Sequence, residues 1–425
     1  MSFPRAIVHD VLTGLSEPEV ILLLGARRTG KTTVARQVAE TSGYPPEKVH
    51  VFDLEDPRNR ELFRDAGLEA MRRVLWLEGV LEGRKGLLVF LGIQHLPDPS
   101  NLLKRLHDHF PWLTILATGP SSVDARRKFS DSLAGRQRTF LVEPLSFDEF
   151  LQFRGEDKLR KLRECFAAEG DPKGLGELVG THAPDLSALM EEYLCYGSYP
   201  EVVLLPDKKA RVAKLEAIVE AYVRKDVRDL ARVENLDGFT RLLKYLAVHS
   251  GAELHPGFAA AAVGLSRVTV RKYLALLEQT FITRPLPPFF RRRDKEISRT
   301  HKVYFRDAGI RNLHLMNFDP LALRTDASVL FETYVCNRLL GGAPPGARLF
   351  FYRTMERTAI EFVREDQGAL TLVKIRPGDQ RTVPRALPEF RKKYRGQLDV
   401  RRSWVVTRSF FDFTRDVKFV PIFLL

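Results

Sequence analysis

The residues best suited to chemistry stand close together near the start of the chain. They are Gly25, Arg28, Thr29, Gly30, Lys31, Thr32 and Thr33, within GARRTGKTT. Gly25 to Thr32 fit the spacing G-x-x-x-x-G-K-[ST]. Glycines let the backbone curl until several N–H groups point inward, and a helix opening near Lys31 adds the positive end of its dipole. A loop of that kind cradles phosphates. Lys31 is placed to pair with β- and γ-phosphates, and the Thr32 hydroxyl to hold Mg²⁺. ATP or ADP with Mg²⁺ is therefore the expected ligand. With glycine near 7% of residues, a chance match in a chain this long is on the order of one in a hundred.

Hydrolysis needs more than binding. A P-loop ATPase ends a neighbouring strand with an acid for the Mg²⁺ shell, commonly followed by a second that polarises water. The strand expected to do this reads GLLVFLGIQHLPD, so Leu91 and Gly92 occupy both places. Neither side chain can ligate magnesium or act as a base. Asp53, on another strand, and Asp98, beyond this one, are the nearest acids in the sequence and weak substitutes. Arg136, in SLAGR, has two readings: an arginine finger on a γ-phosphate, in its own or a neighbouring subunit, or a salt bridge to the lid.

These residues need a rigid frame, and the first third of the chain supplies one. VILLLG (20–25), VHVFDL (49–54), GLLVFL (86–91), LTILATG (113–119) and TFLVEPL (139–145) are short apolar runs separated by helical stretches. That alternation predicts a doubly wound parallel α/β sheet. Residues 157 to 194 turn charged and helical without a strand, which suggests a helical lid closed by the GSYP turn at 197–200. Helices continue from Lys208 to Gln279, and short strands with Gly/Pro turns follow Leu340. The terminal FVPIFLL is expected to pack as a last strand.

The 425 residues carry 44% apolar side chains, enough for a sizeable core in two or three domains. A formal charge of +13 favours a polyanionic partner, or else is only a solvated basic surface. Three widely spaced cysteines, Cys165, Cys195 and Cys336, form neither a metal-ligand pattern nor a disulfide framework and fit a cytoplasmic location. No membrane span and no signal peptide are expected.

PGFAAAAVGLSRVTVRKYLALLEQ (256–279) reads as helix, turn and helix, with Ser266 as an N-cap. Val268, Val270, Tyr273, Leu274 and Leu277 form the expected apolar face, leaving Arg267, Thr269, Arg271 and Lys272 outward. Such a helix suits a DNA major groove, and the following wing with Arg291, Arg292 and Arg293 suits phosphates. Helix-turn-helix geometry serves equally to pack helices or hold a protein partner. The tryptophans Trp76, Trp112 and Trp404 show no stacking array and are read as core.

Taken in order, several short motifs resemble one family. GARRTGKTT, IQHLPD (93–98), ATGPSS (117–122), SLAGR (132–136), EPLSFDEFL (143–151), GSYPEVV (197–203), VRKDVRDL (223–230), VYFRDAGIRN (303–312) and LFETYV (330–335) carry the likeness. The chain resembles the prokaryotic AAA-type P-loop ATPases that carry a C-terminal winged helix and a nuclease-like domain of unknown function. The resemblance implies a P-loop AAA-type domain with helical lid at 1–205, a winged helix at 206–310 and a restriction-nuclease-like α/β domain at 311–425. The family reads Asp-Glu-Ile-Gln where this chain has Leu91 to Gln94, and Pro120 interrupts the sensor segment. It also keeps an acid where Leu372 precedes Val373 and Lys374, although Glu332 and Glu361 remain. Two chemical sites have lost carboxylates. The expected function is an ATP-binding switch with weak or absent hydrolysis that presents a surface to a DNA or protein partner. An active ATPase using a non-standard acid, and a DNA-binding protein with a structural nucleotide, are the alternatives.

Overall fold

The computed structural model describes residues 3–64, 67–119, 133, 135–169, 176–231, 233–290, 300–341, 344, 346–356, 358–378, 380–414 and 416–425. It divides into two compact units: 3–144 with 220–234 and 279–281, and 145–219 with 235–278 and 282–425.

The first unit is built on a five-stranded sheet of β1 (Val20–Leu24), β2 (Val49–Asp53), β3 (Gly86–Leu91), β4 (Leu113–Thr118) and β5 (Gln137–Leu141). The spatial order is β2-β3-β4-β1-β5, and every pairing is parallel. β1 and β3 are buried at each position, as central parallel strands covered on both faces must be. Helices α1 (Ile7–Gly14), α2 (Lys31–Thr41), α3 (Pro57–Leu62), α4 (Leu68–Leu77) and α5 (Pro99–His109) accompany the strands. Two apolar clusters, around Ile21 with Val34 and around Phe52 with Phe90, hold the helices to the sheet. The doubly wound sheet expected from the sequence is thus present. Pro99 opens α5, and the Asp98 side chain caps it by accepting from the Asn101 amide. Asp98 is thereby committed to a structural bond.

The second unit begins with α6 (Phe147–Phe153), whose Ser146 and Glu149 form a reciprocal capping box. α7 (Asp157–Glu169), α8 (Gly176–Tyr196), α9 (Pro200–Val203) and α10 (Lys208–Tyr222) follow. Then come α11 (Leu236–Val248), α12 (Pro256–Val263) and α13 (Arg267–Gln279), with a two-stranded antiparallel sheet of β6 (Thr283–Leu286) and β7 (Lys302–Phe305). α14 (Ala308–Leu315) and α15 (Ala327–Leu340) lead into β8 (Arg348–Arg353), β9 (Ala359–Asp366) and β10 (Ala369–Ile375). α16 (Ala386–Lys393) crosses to β11 (Asp399–Thr407), and β12 (Asp412–Phe413) and β13 (Lys418–Pro421) complete the sheet. Its order is β12-β13-β11-β10-β9-β8, with β10-β11 and β11-β13 parallel and the rest antiparallel.

The three consecutive segments expected from the sequence do not appear as separate units. One apolar cluster unites Phe147, Phe150, Leu186 and Leu194 with Phe331, Tyr334, Val373 and Phe423, so the helices read as a lid share a core with the C-terminal sheet. The motifs GSYPEVV and VYFRDAGIRN meet there. Asp307 caps α14 and accepts from the Ser198 amide and hydroxyl, and Asn312 donates to the Leu194 and Cys195 carbonyls. Val268 is 77% exposed and Trp76 67% exposed, so neither is core. FVPIFLL ends in a strand only to Pro421; Ile422–Leu424 form a single 3₁₀ turn.

Candidate nucleotide site and basic surfaces

The sheet order brings the loop after β1 to the carboxyl edge of the parallel strands, between β4 and β5. Gly25 stands at the turn out of β1 with φ +155°, and a Cβ there would lie 2.3 Å from the Val142 carbonyl oxygen. Only glycine fits. Arg28 and Gly30 are left-handed, at φ 69° and 94°, which completes the curl. Thr29 is buried, and its hydroxyl donates to the Ala26 carbonyl at 3.0 Å. Gly30 is the N-cap of α2 and offers no capping side chain. The helix therefore opens toward the loop without an internal acceptor of its own.

The Lys31 ammonium folds back over the loop, donating to the Gly25 and Ala26 carbonyls at 3.0 and 2.8 Å. Burial pulls its pKa down to about 8, opposed by the Asp226 carboxylate and reinforced by the Arg27 guanidinium. Thr32 and Thr33 are exposed at the first turn of α2, so the Thr32 hydroxyl is accessible to a metal ion. Arg5 braces the loop from behind, donating to the Thr29 carbonyl at 2.8 Å and the Glu143 carbonyl at 2.9 Å.

At the end of β3, Leu91 is 2% exposed and packs in the core beside Val34 and Leu116. Gly92 has φ +73°, and its amide donates to the Thr118 hydroxyl at 2.8 Å. No carboxylate stands at either place. Asp53 lies alongside Leu91 in the sheet register. Its side chain accepts from the Glu55 amide and faces Arg36 at 4.0 Å. A different acid pairs directly with the loop. The π-helix Val223–Leu230, within the segment 220–234, places a 2% exposed Asp226 against Arg27, with Arg27 Nε donating to Asp226 Oδ2 at 2.8 Å. Nothing in the sequence signals that pairing across 199 positions except the VRKDVRDL motif itself. A one-residue expansion of the helical turn frequently marks a functional position.

Residues 17–151 match the family model described as an AAA domain. That match spans the parallel sheet of the first unit. Residues 187–321 match a second model, described as a domain of unknown function (DUF8612). An uncharacterised protein of Mycobacterium tuberculosis is 24% identical over 358 residues, covering 83% of this chain and 69% of that protein. An uncharacterised protein of Methanocaldococcus jannaschii is 22% identical over 232 residues, 55% of this chain and 47% of that one. Among solved structures, a DNA polymerase III gamma subunit-related protein of Thermotoga maritima covers 64% of this chain and 97% of its own, at 12% identity and a TM-score of 0.25. That likeness is too low to bear on fold or function.

Arg136 does not join the phosphate loop. Its carbonyl accepts from the Val20 amide, which places it at the amino edge of β1, and its guanidinium pairs with Asp108 at 3.0 Å. Five strand residues separate that edge from Gly25, a span of roughly 16 Å. Arg136 therefore cannot reach the loop of its own subunit, and its partner is the end of α5 rather than a lid. In the second unit, Arg267, Arg271 and Lys272 are exposed on α13 and Thr269 is half-buried, with Ser266 accepting from the Thr269 amide. Arg291, Arg292 and Arg293 lie outside the described residues.

The expected C-terminal acids also have positions. Glu361 accepts from Lys374 Nζ at 2.6 Å and from the Ile375 amide at 3.0 Å. Glu332 accepts from the Tyr304 hydroxyl at 2.6 Å and faces Lys302 at 3.7 Å, with burial raising its pKa. Leu372 is fully buried. Among the described residues no group of three or more acids, histidines or cysteines is placed to hold a metal ion. No described helix is long and apolar enough to cross a membrane.

Proposed function

We propose that the first unit binds ATP or ADP with Mg²⁺, and that hydrolysis is weak or absent. The observation that carries this reading is the pairing of an intact phosphate loop with a β3 end that offers only Leu91 and Gly92. Gly25, Gly30 and the uncapped start of α2 fit phosphate oxygens, and Lys31 exchanges its two carbonyl acceptors for them. Thr32 fits one Mg²⁺ position, the remaining ligands being phosphate and water. The magnesium supplies charge neutralisation when bound. The acid that would orient its shell, and the base that would orient water, are not present on β3.

Binding becomes a switch through Arg27 and Asp226. A phosphate arriving beside Lys31 competes with Asp226 for the Arg27 guanidinium and repels the carboxylate. Asp226 sits on the π-helix, whose segment is joined in the chain to residues of the second unit at 219 and 235. Loosening that segment transmits occupancy along the chain, and the exposed cationic face of α13 supplies a surface for a DNA or protein partner. The arrangement of α11, α12, α13 and the β6-β7 hairpin supports reading this part as a winged helix. The order α15-β8-β9-β10-α16-β11 supports the nuclease-like reading, with Leu372 against cleavage.

Hydrogen exchange tests the switch. ATP with Mg²⁺ should increase exchange of the amides at 223–230 while protecting those at 25–33. Protection at 25–33 without any change at 223–230 would leave binding standing and remove the switch. One observation favours a second reading: Asp226 pairs with Arg27 of the loop and could anchor Mg²⁺ in an active ATPase. Loss of turnover in Asp226→Asn would establish that.

A further inference from the structure

A cavity in the second unit lies on the α15 side of the C-terminal sheet, far in the sequence from the phosphate loop. Its volume is about 600 Å³, within the range of small-molecule sites. Cross-strand register sets part of its lining. Arg364, Thr371 and Arg402 stand in one cross-strand row, and Phe362, Val373, Trp404 and Lys418 in the next row on the same face. Six cationic side chains line the cavity against one acidic side chain, Asp416.

Two of those cations are uncompensated. Among the described residues, Arg402 and Lys418 form no ion pair, and Arg402 is close enough to Lys418 to disfavour the lysine's charge. Burial, and then Arg402, pull Lys418 below the usual lysine value. Its ammonium sits 4.9 Å from the centre of the Phe166 ring. Others are already held: Arg391 by the Ser403 hydroxyl at 3.1 and 2.9 Å, Arg401 by Asp399 at 2.8 Å. The cavity therefore combines cations already held by neighbours with a pair that, among the described residues, lacks an ion-pair partner. Trp404 and Phe413 add aromatic surface to the same lining. Cations that want a phosphate beside rings that can stack on a base are the two halves of nucleotide recognition.

We propose that this cavity binds a nucleoside phosphate, with the phosphate on Arg402 and Lys418 and the base against Trp404. The ligand is either a free mononucleotide or the phosphorylated end of a single strand. The site belongs wholly to the second unit and does not depend on the phosphate loop binding ATP.

Tryptophan fluorescence of the full chain reads the site, with Trp404→Phe identifying the responding residue. The probes are AMP, 5′-phosphorylated (dA)₄ and inorganic phosphate. AMP should quench Trp404 saturably. Arg402→Gln with Lys418→Gln should weaken it about ten- to a hundredfold, as loss of charge-assisted contacts does. Lys31→Ala should leave it unchanged, which separates this site from the phosphate loop. Equal affinity for AMP and the oligonucleotide identifies a free nucleotide; tighter binding of the oligonucleotide identifies a strand end. Arg402 is exposed, so Arg402→Gln alone keeps the fold and should still weaken binding several-fold if the double variant does not fold. The proposal is overturned if no probe saturates, if phosphate binds as tightly as AMP, or if a folded Arg402 variant binds like wild type.

Discussion

Asp226→Asn is the substitution that asks most of the site. The carboxylate is 2% exposed, pairs with Arg27 at 2.8 Å, and lies close enough to Lys31 to oppose the effect of burial on its pKa. A phosphate held by Lys31 must approach that charge. At ~6 Å and an effective dielectric near 20, each unit of phosphate charge meets about 3 kcal/mol of repulsion. Screening, and movement of the π-helix, remove part of this. The asparagine keeps a hydrogen bond to Arg27 without the charge, and frees the guanidinium for phosphate. A net gain of about 1–2 kcal/mol, or roughly five- to thirtyfold tighter ATP, is expected. Calorimetry at pH 7 with Mg²⁺ in excess measures it, below the Lys31 pKa of about 8 so that the lysine stays charged. Thermal stability should fall slightly, because Arg27 is 27% exposed and keeps water as a partner. Weaker ATP binding, or a steeper requirement for Mg²⁺, would refute the reasoning and assign Asp226 to the metal.

Three further outcomes follow from named contacts. Lys31 in the free protein loses its proton near pH 8, whereas bound phosphate holds the proton on, so ATP affinity should fall on the order of tenfold between pH 7 and pH 9; proton uptake on binding, measured in two buffers of different ionisation heat, checks the sign. Returning acids to β3 with Leu91→Asp and Gly92→Glu should raise turnover, but at a cost in melting temperature. Leu91 is buried and Gly92 holds φ +73°, with a Cβ only 3.1 Å from the His95 ring; a variant that folds, binds ATP and gains nothing would show that the site needs more than these two carboxylates. Asp307→Ala should destabilise the second unit by about 3 kcal/mol in denaturant melts, since the Ser198 and Ile310 amides lose a buried acceptor together.

The phosphate loop and the parallel sheet were legible because each is written locally. VILLLG is a continuous apolar run, as a strand covered on both faces requires, and the glycine spacing follows from backbone curvature that no other residue tolerates. What surrounds the loop was not legible. Arg5 and Asp226 reach it from opposite ends of the unit's sequence, and long-range pairing leaves no periodic trace. The motifs GSYPEVV and VYFRDAGIRN carried the family likeness without showing why; they bond to each other in a buried polar network. For residues 157 to 194 the apolar faces of α7 and α8 do not say which core they enter, and they enter the one built by α15 and the C-terminal strands. Val268 shows the limit of helical periodicity on α13: its apolar side chain continues the stripe yet stands in solvent.

The central claim, that binding survives where hydrolysis does not, is tested most directly by measuring ATP affinity and multiple-turnover hydrolysis on the same preparations of wild type and Lys31→Ala. The account predicts saturable Mg-ATP binding by wild type, a loss of about ten- to a hundredfold in Lys31→Ala, and turnover in wild type far below the ~1 s⁻¹ common among enzymes. Wild-type turnover at or above that rate, abolished by Lys31→Ala, would contradict it.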